Sequence, residues 1–265
     1  MGRGEDAQME LRLRAADPAG NVTLLVETPV SPGAYRAAAE RLLAFSSLGG
    51  EQVGYLVPPR RGGDVRLEMM GGEFCGNALR CAALWAAERR GCGGAVAVEI
   101  SGCGQVLRAD VRPDGEVWAE MPRPERLEAV SVAGHPATAV VFEGIVHVAA
   151  ARAPLGEAET ARLLPELAAR FERPAAGLMF LEGDRMRPAV YVCGTDTLYW
   201  ERSCASGSTA AACCEAADKP DGVRRLTLRQ PGGVIRTETV VRGGQAAAVR
   251  LGGPVSLGDA VTVTL

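Results

Sequence analysis

The sequence predicts an α+β fold of two similar halves, and three observations predict it. Strand-like runs outnumber helical ones. Each half has its principal helix directly after a cysteine set in a turn of small and polar residues. A shift of 129 positions (204 − 75), which carries Cys75 onto Cys204, also superposes downstream residues: Gly104 on Gly233, Val106 on Ile235, Asp114-Gly115 on Gly243-Gly244. Two halves of a 265-residue chain are each of ordinary domain size. The boundary is expected at Met121-Pro122-Arg123-Pro124, because two prolines in a short polar stretch cannot continue a sheet interior. The halves are then 1–123 and 124–265, with a final strand near 256–265 left free to pack back on the first.

Taken in order, Leu11–Arg14 reads as a first strand, followed by the turn Asp17-Pro18-Ala19-Gly20-Asn21 and a buried strand Val22–Val26. Asn21 is placed to point an amide into a cleft, or is an ordinary turn asparagine. Pro32–Phe45 carries Tyr35, Ala38, Leu42 and Leu43 at helical spacing. Strands are predicted at Glu51–Val57 and Val65–Met70, before the motif Gly72-Glu73-Phe74-Cys75-Gly76-Asn77-Ala78. The alanine-rich run after it is a helix, ended by Gly91-Cys92-Gly93-Gly94. Strands are next predicted at Val96–Ile100, Val106–Val111 and Val117–Met121. The second half has strands at Ala139–Phe142 and Ile145–Ala149 and a helix over Glu157–Phe171. Further strands near Leu178–Leu181, Ala189–Val192 and Thr197–Trp200 lead to Arg202-Ser203-Cys204-Ala205-Ser206-Gly207-Ser208 and a second alanine-rich helix.

Composition removes several classes of function. The chain is 47% hydrophobic and 23% charged with net charge −3, which suits a soluble protein with enough apolar material for two cores. No basic excess points to nucleic acid, and 5% aromatic residues make a poor platform for stacking bases. Met1–Ala16 lacks the apolar core of a signal peptide, and Asp6 breaks the myristoylation pattern after Gly2. No run is long enough to span a bilayer. A cytoplasmic location is expected, with the eight cysteines reduced and Cys81, Cys213 and Cys214 packed as small hydrophobes. The cysteines form no C-x-x-C pair, and only His135 and His147 could add imidazole, so no zinc site is expected. Lys219, the only lysine, stands beside Pro220 at a helix end, a poor place for a pyridoxal Schiff base. No phosphate-binding glycine motif is present, so no cofactor is expected.

A thiol at a helix N-terminus faces unpaired N–H groups and the positive end of the macrodipole, which favour its thiolate. The same N–H groups bind a carboxylate. Two such cysteines across one cleft suit proton transfer at a carbon acid, one thiolate removing a proton from one face and one thiol delivering a proton to the other. Two other readings compete. Both cysteines could be inert residues buried at helix starts. Alternatively, one could pair with a histidine for nucleophilic catalysis, which would leave the duplication unexplained.

The paired motifs Cys75-Gly76-Asn77 and Cys204-Ala205-Ser206-Gly207 resemble those of the diaminopimelate epimerases and their cofactor-independent relatives. Within that superfamily the chain resembles the histidine racemases of opine-type metallophore biosynthesis. The likeness is carried by Asp17–Val26, Glu51-Gln52-Val53-Gly54, Gly72–Ala78, Ser101-Gly102-Cys103, Trp200–Cys204 and Gln230-Pro231-Gly232-Gly233. The resemblance implies two pseudo-symmetric domains, each a sheet curled round a central helix, with the site between them. It implies Cys75 and Cys204 as the acid/base pair and Gly76, Asn77, Ala205, Ser206 and Gly207 around the substrate α-carboxylate. It places Asn21 and Glu51 in contact with substrate and suggests a homodimer acting on a small amino acid. The chain departs from the pattern twice. Ala205 stands where glycine is usual, bringing a Cβ near the carboxylate site. Glu201-Arg202 lie close before Cys204, whereas diaminopimelate epimerases carry such a pair several residues earlier, which argues against diaminopimelate as substrate. A diaminopimelate epimerase and a non-catalytic carboxylate binder remain the alternatives to a histidine racemase.

Overall fold

Apolar alternation sets the strands: Leu11 and Leu13 are buried while Glu10 and Arg12 face solvent. The computed structural model describes residues 9–194 and 196–265, so the expectations for the first eight residues lie outside the described part. The strands are β1 (Glu10–Asp17), β2 (Thr23–Val26), β3 (Gln52–Val57), β4 (Val65–Met69), β5 (Gly94–Ile100), β6 (Leu107–Val111), β7 (Glu116–Glu120), β8 (Arg126–Val132) and β9 (His135–Val141). They continue with β10 (Val146–Ala150), β11 (Ala175–Glu182), β12 (Arg185–Val192), β13 (Thr197–Trp200), β14 (Gly222–Gln230), β15 (Gly233–Arg242), β16 (Gln245–Pro254) and β17 (Ser256–Thr264). The helices are α1 (Tyr35–Leu43), α2 (Gly76–Arg90), α3 (Glu157–Phe171) and α4 (Ala205–Ala216). The fold is mixed α and β, with few helices and a large curled sheet. None of the described helices is long and apolar enough to cross a membrane.

From β1 to β7 each strand pairs with the next, antiparallel except for β2–β3 and β4–β5, which are parallel. From β9 the same succession of ladders recurs through β10, β11, β12, β14, β15 and β16, the parallel pairs being β10–β11 and β12–β14. An antiparallel β7–β16 ladder joins the two stretches. Edge strands are exchanged: β8 follows β7 but pairs with β9, and β17 follows β16 but pairs with β1.

The sequence pattern does not predict β8. Its alternation over Arg-Leu-Glu-Ala-Val-Ser-Val is weak and mostly solvent-facing, and Pro122 and Pro124 mask its start. The predicted helix at Pro32 begins with a 3₁₀ turn and becomes α-helical only at Tyr35.

Helices α2 and α4 have no polar side. A helix apolar all round is one that is surrounded, and here α2 packs against β2, β4, β5, β6, β7 and β17 while α4 packs against β9, β10, β11, β14, β15 and β16. Alanines at 78, 82, 83 and 86, and at 210, 211, 212 and 216, keep both helices thin enough for strands to close round them. Cys81 and Cys213 are packed in this core, and Cys214 lies against it. Gly91 ends α2 with φ 70°, a left-handed residue that glycine accepts without strain.

The connection between β3 and β4 is held by a buried carboxylate. Burial works to raise the Glu99 pKa, but N–H groups of Arg60, Gly63 and Arg61 and the Arg66 guanidinium donate to it and hold it at about 2. A carboxylate depressed in the fold stabilises it above the unfolded carboxylate pKa, and the contribution fades as pH falls toward 2. Glu99→Gln is expected to cost about 3 kcal/mol at neutral pH, since amides and a guanidinium lose a buried charged acceptor. The cost should shrink as the pH approaches 2, read from urea midpoints of both proteins.

Candidate active site

Each motif cysteine is the N-cap of its helix. Cys75 has φ −131° and ψ 109°, Cys204 φ −119° and ψ 109°, so the two caps share one backbone shape. The Sγ of Cys75 accepts from the Ala78 amide at 3.5 Å, and that of Cys204 from the Gly207 amide at 3.3 Å. Intrahelical bonding begins with Leu79 to Cys75 and Ser208 to Cys204. The amides of Gly76, Asn77, Ala205 and Ser206 therefore precede the ladder, as the first N–H groups of any helix do.

The two helix starts meet. A Cβ built on Gly76 would lie 3.0 Å from the Cβ of Ala205 and 3.0 Å from the sulfur of Met121. Ala205 thus directs its extra carbon at the helix–helix junction, where Gly76 makes room for it. The Asn77 side chain donates to the Ser203 carbonyl at 3.1 Å, and Asn21 reaches the same oxygen at 3.4 Å. Residues from both stretches are thereby stitched together one position before Cys204. Cys204, Asn77 and Ser203 are almost wholly buried, and the Asn77 Oδ1 and Ser203 Oγ atoms have no partner among the described residues.

Each thiol has its own polar neighbours. The amide of buried Gln52 donates to Cys75 Sγ at 3.3 Å and to Thr23 at 2.8 Å. Gln230 accepts from the Cys204 amide at 2.8 Å and donates to Ser208, which donates to the Cys204 carbonyl. Ser206 Oγ lies 3.6 Å from Cys204 Sγ and 2.8 Å from His147 Nε2. His147, wholly buried on β10, is pushed by burial down to about 3 and stays neutral. Its Nδ1 has no partner among the described residues, and a bare lone pair there costs less than a buried N–H. The tautomer that suits these surroundings carries its proton on Nε2, where it would donate to Ser206. His135 is exposed at the start of β9, remote in role from either thiol.

Glu201 is the residue that sequence reasoning misses. Its separation from Cys204 differs from that of the familiar Glu-Arg pair, yet its carboxylate charge bears on both the Cys204 and the Cys75 thiols, and its buried Oε2 has no hydrogen-bond partner among the described residues. Burial, with Glu51 nearby, raises Glu201 to about 7 against the effect of the neighbouring Cys204 thiol. A tryptophan-led Glu-Arg just before the cysteine is the available signal. Glu51 Oε1 accepts from the amides of Asn21 and Val22 at 3.1 and 3.3 Å and lies 3.7 Å from Arg202. Glu51 therefore shapes the turn that carries Asn21, a role the sequence does not show.

The helix starts do not by themselves deliver thiolates. Burial raises Cys75 to about 11, with Glu201 and Glu73 adding to it against the Ala78 and Gln52 bonds. Burial and the Glu201 charge likewise raise Cys204 well above the usual thiol value. Desolvation outweighs the amides because each sulfur receives few donors, Cys204 being buried and Cys75 half-buried.

Comparison with known proteins places this geometry. The family described as histidine racemase CntK N-terminal domain matches residues 10–261. A histidine racemase from Staphylococcus aureus is 26% identical over 83% of this chain and 85% of its own. One from Fusobacterium nucleatum is 32% identical over 73% of this chain and 77% of its own. A hydroxyproline epimerase from Agrobacterium vitis shares the fold with a TM-score of 0.65 at 13% identity, over 97% of this chain and 93% of that one. A phenazine biosynthesis protein of the PhzF family from Enterococcus faecalis superposes with a TM-score of 0.58 at 11% identity, over 97% of this chain and 100% of that one. Matched by one family over nearly its whole described length, the chain belongs to the histidine racemase family and is an isomerase of the amino-acid racemase type.

Proposed function

We propose that the protein interconverts L- and D-histidine without a cofactor, through a two-base mechanism in which Cys75 and Cys204 act on opposite faces of Cα. The single observation that carries the mechanism is the abutment of two cysteine-capped helix starts at Gly76 and Ala205. The substrate α-carboxylate takes the free amides of Gly76, Asn77, Ala205 and Ser206, and Gly207 holds the Cys204 sulfur. For one direction the Cys75 thiolate takes the Cα proton and becomes a thiol. The electron pair left on Cα delocalises into the carboxylate, where the helix amides stabilise the developing charge. The Cys204 thiol then protonates the other face and becomes the thiolate. The reverse direction exchanges the roles. Glu51, at the mouth beside Arg202, is assigned to the imidazole N–H of the substrate.

The recurrent ladder order supports two pseudo-symmetric halves, 1–123 and 124–265, with the strand at 256–264 returned to the first. A cytoplasmic homodimer serving opine-type metallophore synthesis is the setting we infer from the resemblance.

The deciding experiment follows α-proton exchange in D₂O by NMR across a panel of amino acids. L-Histidine is expected to exchange and to appear as D-histidine, with diaminopimelate turned over about 10⁴-fold less well, because that substrate's second charged head would meet no dedicated partners. Rapid diaminopimelate epimerisation beside inert histidine would overturn the substrate while sparing the cysteine chemistry.

The pH profile is a second check. With Cys75 at about 11, its ionised fraction grows about tenfold per pH unit in the working range, so kcat/KM should climb with that slope from pH 7 upward. Glu201 at about 7 should add an inflection there, and Glu201→Gln should remove it. A flat profile between pH 7 and 9 would count against thiolate chemistry.

A further inference from the structure

Arg80, in the second turn of α2, is wholly buried, yet the groups it meets are backbone carbonyls. Its Nε donates to Val117 at 3.0 Å and its Nη1 to Pro18 at 3.3 Å. Its Nη2 donates to Gly253 at 2.6 Å and Pro254 at 3.1 Å. Burial lowers it to about 10, so it remains a cation at neutral pH. A buried charge held by neutral dipoles is a costly choice for stability alone, and an apolar side chain of like volume often serves as well or better. What distinguishes Arg80 is the set of segments it joins.

Val117 and Gly253 are partners across the β7–β16 ladder, so the guanidinium bridges a single rung of the pairing that links the two stretches. Its third segment, at Pro18, belongs to the turn between β1 and β2. There Ala19, Gly20 and Asn21 adopt φ of 75°, 88° and 63°, a left-handed run that strains its two non-glycine residues. The corresponding connection between β9 and β10 holds no left-handed residue and closes on itself through the Phe142 amide and the Ile145 carbonyl, with the Arg173 guanidinium also donating to the Phe142 carbonyl. The β1–β2 turn instead takes its bonds from side chains: Asp17 accepting from Gly20, Glu51 accepting from Asn21 and Val22, and Arg80 donating to Pro18. The position equivalent to Arg80 in the second stretch (80 + 129) is Thr209, whose hydroxyl bonds only within its own helix, to Ala205. The clamp exists where the strained turn exists.

The same helix presents Cys75 at its start, and the same turn presents Asn21 to the Ser203 carbonyl beside Cys204. We propose that Arg80 is a positioning residue for racemisation: one guanidinium fixes the Asn21 turn in register with the Cys75 helix and with the ladder joining the two stretches. The inference rests on the reading of this cleft as the racemase site.

The test compares Arg80→Lys, which keeps the cation but loses the fork, with Arg80→Met, which keeps volume and loses all donors. Both are combined with Asn21→Ala, and all are assayed on whichever amino acid the unsubstituted enzyme exchanges. Failure of the unsubstituted enzyme on every amino acid tried would reject the racemase reading itself, separately from the role of Arg80. Both Arg80 variants should melt cooperatively and lose at least about tenfold in kcat with KM moved less. In the Asn21→Ala background the same substitutions should cost little more, because the positioned group is already gone. Full kcat in a folded Arg80 variant, or losses that simply multiply with that of Asn21→Ala, would overturn the proposal. So would two variants that both fail to fold by circular dichroism, which would make Arg80 a determinant of folding alone.

Discussion

Serine in place of Cys75 or of Cys204 is expected to lower racemisation by about 10³-fold or more, each on its own and without loss of the fold. A hydroxyl is a far weaker acid than a thiol, whose unperturbed pKa is about 8.5. The site that already pushes Cys75 to about 11 would push a hydroxyl out of reach of any working pH. The swap is nearly isosteric, and the Ala78 and Gly207 amides can still donate to oxygen, so the caps should survive. Melting curves within a few degrees of the parent, beside lost turnover, would separate chemistry from folding. Near-normal racemisation by either variant would end the two-base mechanism.

Gly207→Ala should be nearly as damaging, for a steric reason. A Cβ at this position would lie 2.1 Å from the Met179 sulfur and 3.1 Å from Cys204 Sγ. Met179 is fully buried, so it cannot swing into solvent, and overpacking of this kind costs about 1–3 kcal/mol. The strain falls on the Cys204 sulfur, the acid/base of the proposed mechanism, so a turnover loss of about 10²-fold is expected, since misplacement by 1 Å can cost that much. Adding Met179→Ala should return stability, read as a recovered melting temperature, along with part of the rate. Full activity in Gly207→Ala alone would mean that the sulfur is not held where the cap places it.

Much of this is legible in the chain. Cysteine followed by alanines marks both buried helices, because alanine at every face leaves no polar side to expose. The 129-residue shift, carried by turn glycines that recur at fixed offsets, lays β5, β6 and β7 over β14, β15 and β16. The features that stay hidden are set by tertiary contact. Thiol acidity depends on how much water each sulfur loses, which no local pattern encodes. Glu201 looks misplaced by spacing, but distance along the chain does not measure distance across a cleft. Glu51 reads as a substrate contact or a solvent-facing residue, and its bonds to the Asn21 and Val22 amides require the fold. His147 can be placed in a strand, but not beside Ser206.

The exchanged edge strands also set an order in time. Register pairs such as Glu10 with Thr264 and Leu13 with Val261 tie the first strand to the last. A chain emerging from the ribosome therefore makes β1 long before its outer neighbour exists, and α2, which β17 also touches, stays uncovered along that flank until β17 is made. Contacts of such long sequence separation slow folding, because the loop must close before the pairing rewards it. Until then the nascent protein carries an unpaired strand edge beside an apolar helix, the kind of surface that chaperones recognise.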